Sequence, residues 1–164
     1  MEHHLYQQEI EALLARLARK GSRLQARPAA EADIQWLRAK GVPESVVAFF
    51  TVAEPVRWVD IGGVEIGPVS GLKAANSQAV PGIAASRYGY VVIAQTISGD
   101  AYCIDVNHVD RDGQPPIYIV NHEKVGESAS RQDVEAGSRL VAASFREFLT
   151  RFIAGDLPYD FHDA

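Results

Sequence analysis

A chain of 164 residues with 47% hydrophobic and 23% charged side chains has the make-up of one ordinary globular domain, which excludes disordered and fibrous classes. No apolar run approaches the eighteen or so residues of a membrane span, and the first ten residues lack the apolar core of a signal peptide. The single cysteine, Cys103, has no internal disulfide partner, so the expectation is a cytoplasmic protein with no membrane association.

The net charge of −5 is unevenly placed: residues 101–164 carry eleven acids and six bases, which accounts for the whole excess. Phosphate backbones are held by basic faces, so nucleic acid is an unfavoured partner. The balance is compatible with a protein partner that has a basic face, though acidic solvated surfaces are commonplace.

In chain order, residues 5–20 predict an amphipathic helix, with Ile10, Leu13, Leu14 and Leu17 at helical spacing and Gly21 at its end. Arg16, Arg19, Lys20, Arg23 and Arg27 give it a basic flank, the one feature that offers a nucleic-acid contact; a solvated helix face is the favoured reading. Pro28 opens a second helix with Ile34 and Leu37 inward, ending at Gly41. Glu44 to Phe50 is a short third helix with Val46, Val47, Phe49 and Phe50 in the core. Arg57–Val59 and Gly63–Ile66 read as short strands around an Asp60–Gly63 turn. Residues 67–87 are weakly patterned, with one helical turn near Leu72.

The centre of the chain is a three-strand antiparallel meander. Tyr90–Ala94 is apolar at successive positions, so both its faces are buried. Ala101–Val106 alternates, with Tyr102, Ile104 and Val106 on one side. Ile117–Asn121 is the third strand. Ser98-Gly99 closes the first hairpin, with Gly99 at positive φ, and Asp110-Arg111-Asp112-Gly113 makes the second turn. Lys124–Arg131 is polar loop. Ser138–Ala154 predicts one closing helix, with Val141, Phe145, Phe148, Leu149 and Phe152 on one face and Gly155 as its cap. In the tail, Tyr159 and Phe161 are candidates to pack back.

No motif for catalysis, metal or cofactor survives inspection. Asp105–Gly113 lacks the glycine and the last acid of a calcium loop. His122-Glu123 has Gly126 where a zinc protease needs its second histidine. Cys103, His108 and His122 lack metal-ligand spacing. Cys103, mid-strand between Tyr102 and Ile104, reads as a small buried hydrophobe rather than a nucleophile.

Several segments, in order, resemble the Smi1/Knr4 family of the SUKH superfamily. They are Ile34-x-x-Leu37; Gly41-Val42-Pro43 leading to Phe49-Phe50; Ile93 with Ser98-Gly99-Asp100 and Tyr102-Cys103-Ile104-Asp105; Ile117 through Glu123; and Ser144-Phe145-x-x-Phe148-Leu149. The match spans about residues 31–153. Thr51–Pro55 stands where the family often has Asn-Gly, and Val120-Asn121 where Trp-Asp is common. The resemblance implies an α+β domain, antiparallel sheet with packed helices, over residues 28–155, between an N-terminal helical extension (1–27) and a tail (156–164). It also implies a non-enzymatic protein without cofactors. Many bacterial members resemble immunity proteins that neutralise a cognate toxin, and fungal relatives are regulatory scaffolds. Pro43, Phe50, Gly99, Ile104, Phe145 and Phe148 fall at turn and core positions of the match. The candidate protein-binding residues are Asp100, Asp105, Asp110, Asp112, His122 and Glu123; for Asp105 a bracing role in the following loop is favoured over partner contact. Oligomeric state and the identity of a toxin stay open.

Overall fold

A computed structural model of the protein describes residues 6–19 and 26–164. Leu5, Lys20, Gly21 and Arg23, which the predicted first helix and its flank include, lie outside the described residues.

The meander is the middle of a six-stranded antiparallel sheet whose strands neighbour one another in sequence order. Strands β5 (Tyr90–Thr96), β6 (Ala101–Asp105) and β7 (Ile117–Val120) pair with Val91 opposite Ile104 and Tyr102 opposite Ile119. The short pair, β3 (Val59–Ile61) and β4 (Val64–Ile66), joins the same sheet through Val64 opposite Thr96. Its turn is tighter than the sequence suggests: Ile61 stays in the strand, paired with Val64. Only Gly62 and Gly63, at φ +64° and +86°, make the reversal, the two-positive-φ turn that matches strand twist.

The sixth strand, β8 (Ser138–Ala142), corrects the prediction of one long closing helix, for it pairs along β7 with Ser138 opposite Val120. The helix, α7 (Phe145–Ala154), starts where Ser144 Oγ accepts from Glu147 N at 3.0 Å, a side-chain N-cap. Val141 happens to continue the helical spacing of Phe145 and Phe148, but the backbone before Ser144 finds its partners on the sheet. Two further helices occupy the stretch read as weakly patterned, α4 (Val69–Ser77) and α5 (Gly82–Ala85), and α6 (Arg131–Ala136) follows the polar loop. Ser130 and Asp133 form a reciprocal capping box that starts α6.

Helices α1 (Gln7–Arg19), α2 (Glu31–Ala39), α3 (Glu44–Val52) and α7 cover one sheet face. In α1 Leu13 and Leu17 are buried while Leu14 is exposed, so the apolar stripe is narrower than its spacing suggests. Strand β1 (Ala26–Arg27) pairs with β2 (Glu54–Pro55) as a separate two-stranded sheet. The buried carboxylate of Glu54 accepts from Arg27 Nε at 3.2 Å and from Val69 N at 2.7 Å, tying that pair to the start of α4. Tyr6, Phe49 and Phe145 meet edge to face, with ring centroids 5.6–6.1 Å apart, a favoured geometry. Buried Gln114 links these parts: its amide donates to Tyr6 Oη at 3.0 Å and its carbonyl accepts from Phe145 N at 3.0 Å.

The opposite face carries a smaller core of Val92, Cys103 and Val120 under Ala84, Ala85, Val125 and Val134. Here β4 reaches only Gln95 and Thr96 of β5. Asn76 of α4 replaces the missing strand, accepting from Val92 N at 2.8 Å and donating to Val92 O at 3.1 Å. That satisfies a buried backbone pair that would otherwise cost stability.

Phe148, fully buried between Phe145, Phe152 and Tyr102, is central to the main core. Phe148→Ala is expected to destabilise the protein by about 3–5 kcal/mol in urea unfolding; a loss under about 1 kcal/mol would show that this face tolerates a cavity.

Candidate functional site

The six candidate residues occupy the two ends of the central meander, and they fall into two classes. Asp100 and Asp105 bracket β6 and are 3% and 2% exposed. Asp100 Oδ1 accepts from His122 N at 3.0 Å and lies 2.7 Å from His122 Nδ1. Its Oδ2 accepts from Phe161 N at 2.8 Å and from Ser98 Oγ at 3.2 Å. One carboxylate thus joins the first hairpin, the end of β7 and the C-terminal tail. Burial alone would oppose its ionisation, but the hydrogen bonds from the His122 ring, the His122 N–H and the Phe161 N–H outweigh that and hold the carboxyl below its ordinary range.

Asp105 does the same at the other end of β6: Oδ1 accepts from Asn107 N at 2.9 Å, and Oδ2 lies 2.6 Å from His108 Nδ1. Neither aspartate projects to solvent; both close loops. Each leaves the outer ring edge of a histidine towards the surface, His122 half-buried and His108 exposed.

Asp110, Asp112 and Glu123 are exposed. Asp110 Oδ1 accepts from Asp112 N and Gln114 N at 2.8 and 2.9 Å, so it shapes the β6–β7 turn. Glu123 follows the far end of β7, beside His122. The five residues of β6 separate these ends by about 16 Å at the usual strand rise. The candidates therefore form two acidic points rather than one patch.

Cys103 is wholly buried in the smaller core, and burial pushes its thiol well above the ordinary range. Among the described residues no group of three or more His, Cys, Asp and Glu is placed to hold a metal ion. No described helix is long and apolar enough to cross a membrane. On the basic flank, Arg27 is engaged by Glu54.

Among the described residues, two well-formed clefts stand out on the surface. The larger, about 530 Å³, lies between β8, the end of α7 and the tail, with Leu140, Arg151, Asp156 and Tyr159 in its lining. The smaller, about 360 Å³, lies between the α4–α5 segment and the β5–β6 hairpin, lined by Glu65, Ala75, Val80, Val92, Ile97 and Asp100 among others. Apart from Asp100, the sequence reading missed its residues. The alternation in Val64-Glu65-Ile66 was a signal that Glu65 points away from the core; nothing local marked Val80 or Ile97, which adjoin only through the fold.

The architecture is an α+β domain whose central polar residues hold loops in place. The profile of the SMI1 / KNR4 family (SUKH-1) matches residues 28–151. The chain belongs to that family, in agreement with the resemblance read from its motifs. Membership supports a non-catalytic SUKH domain that works through protein–protein interaction. Comparison with curated proteins gives no match.

Two outcomes are expected. The carboxyl of Asp100 has a lower pKa folded than unfolded, so its stabilisation is present above about pH 4 and is lost as pH falls through the folded value. Asp100→Asn should cost about 1–3 kcal/mol at pH 7, and the gap from the parent protein should narrow as urea unfolding is repeated towards pH 3; a gap independent of pH would remove the ionised role. For Cys103, a thiol reagent should react slowly with the native protein and rapidly after unfolding; fast native reaction would show an accessible thiolate.

Proposed function

We propose that this chain is a cytoplasmic, non-enzymatic immunity-type protein that binds a bacterial toxin domain and blocks its active face. The observation that carries the reading is membership of the SMI1 / KNR4 family (SUKH-1) over residues 28–151. The charge distribution supplies a physical route. Toxins that cut or modify nucleic acid need a basic face for the phosphate backbone. An acidic protein is drawn to that face quickly and competes with the substrate for it. Asp110, Asp112 and Glu123 stand on exposed turns, where they can steer such an encounter without disturbing the sheet.

The test is co-expression with any toxin domain encoded in a neighbouring reading frame. Restored growth and a co-purifying complex are expected. In that complex, Asp110→Asn, Asp112→Asn and Glu123→Gln together should slow association and flatten its dependence on salt, with stability changed by no more than about 0.5 kcal/mol. If the chain neither restores growth nor co-purifies with the toxin domain, a regulatory interaction module takes the place of the immunity reading.

A further inference from the structure

The smaller cleft combines three properties that the larger one lacks as a set. First, its rim holds two exposed aliphatic side chains, Val80 at 41% and Ile97 at 59% exposure. They adjoin an apolar floor of Ala75, Val92 and Ala101, and apolar surface of this kind marks contact sites. Second, the carboxylate its lining can offer to an occupant is that of Glu65, with no lysine, arginine or histidine in the lining; Asp100, also in the lining, is buried and fully bonded. Third, negative charge continues from Glu65 onto the sheet beyond: Glu65 is the direct cross-strand partner of Asp60, so two acids share one face, an arrangement that like charges disfavour. The larger cleft lacks this single sign, because Arg151 pairs with Asp156 in its lining at 3.1 Å.

We propose that the cleft between the α4–α5 segment and the β5–β6 hairpin is the docking surface for the protein partner. Its occupant is a segment in which an aliphatic or aromatic side chain is flanked by lysine or arginine. The apolar side chain fills the space between Val80 and Ile97, and the flanking cation meets Glu65. This rests on the reading of the chain as a toxin-binding module and adds where the toxin sits. A second copy of this chain is a poor occupant, because a two-fold contact sets the same patch against itself and would bring the carboxylates of one copy against those of the other. Nucleic acid is repelled by the same sign. Asp110 and Asp112 lie at the opposite end of β6, so they guide the approach without forming the contact.

The experiment titrates the full chain with the purified toxin domain that co-expression identifies, comparing the parent protein with Ile97→Arg, Val80→Arg and Glu65→Arg, and with Leu140→Arg in the larger cleft as control. The rim positions are exposed, so melting temperatures should stay near the parent's, and two independent rim variants guard against one that misfolds. Ile97→Arg and Val80→Arg should each weaken binding about tenfold or more, while Leu140→Arg stays within about threefold. The loss caused by Glu65→Arg should shrink as salt is raised. If the parent binds the toxin domain and both rim variants bind within about threefold of it, the docking site is wrong and the binding reading stands. If the parent itself does not bind, both fall. If the parent sediments as a dimer that Ile97→Arg makes monomeric, a second copy occupies the cleft and the proposal is overturned.

Discussion

Strands β5 and β6 are buried on both faces, and the rest of the structure follows from that. A sheet with one wet face needs one layer of helices; these two strands need two. The chain supplies the first as α1, α2, α3 and α7 over Val91, Ile93, Tyr102 and Ile104. It supplies the second, thinner layer from α5, α6 and the loop before α6, over Val92, Cys103 and Val120. The second layer sets Ala84, Ala85 and Ala129 beside Val125 and Val134, and its small residues let short helices lie close to the sheet. It covers the middle of that face and stops short of the β4–β5 end, which is why a cleft remains there.

Covering both faces isolates backbone groups from water, and a few polar side chains meet that demand. Asn76 completes the hydrogen bonds of Val92, Gln114 those of the first turn of α7, and Glu54 that of Val69. Asp100 and Asp105 do so at the two ends of β6. Each is a buried polar residue bonded to main-chain groups, of distant segments for Asn76, Gln114, Glu54 and Asp100 and of the adjoining loop for Asp105. Such groups are costly to leave unsatisfied and specific in where they can be satisfied. They fix the register of the loops rather than the depth of the core. The same chemistry that makes an aspartate look like a contact residue in the sequence makes it valuable inside, and its environment decides between the two.

The strongly patterned parts were legible in the sequence: the meander with its Gly99 and Gly113 turns, α2, α3 and the apolar face of α7. What escaped was set by long-range pairing. Ser138–Ala142 has a composition that suits helix or strand, and the open edge of β7 settles it. Val69–Ser77 has weak amphipathicity because Asn76 occupies a buried position for its amide rather than its volume. The candidate residues were legible as polar positions at strand ends, but their exposure was not. Asp100 differs from Asp112 only in that His122 and Phe161, distant in sequence, close over it.

The division of labour among the acids bears on how a domain without reactive chemistry achieves specificity. A carboxylate spent on main-chain N–H groups is unavailable to a partner, so the surface field comes from the acids on turns and at the open end of the sheet. Those positions carry little of the fold: Asp110 shapes a turn, and Glu65 sits between buried Val64 and Ile66 with its own side chain turned outward. Such residues change at small cost to stability, whereas Asp100, Gln114 and Asn76 cannot change without leaving buried groups unpaired. A core fixed by polar staples beneath a rim free to vary lets one architecture meet different partners, with apolar contact giving affinity and the sign of the rim giving selectivity.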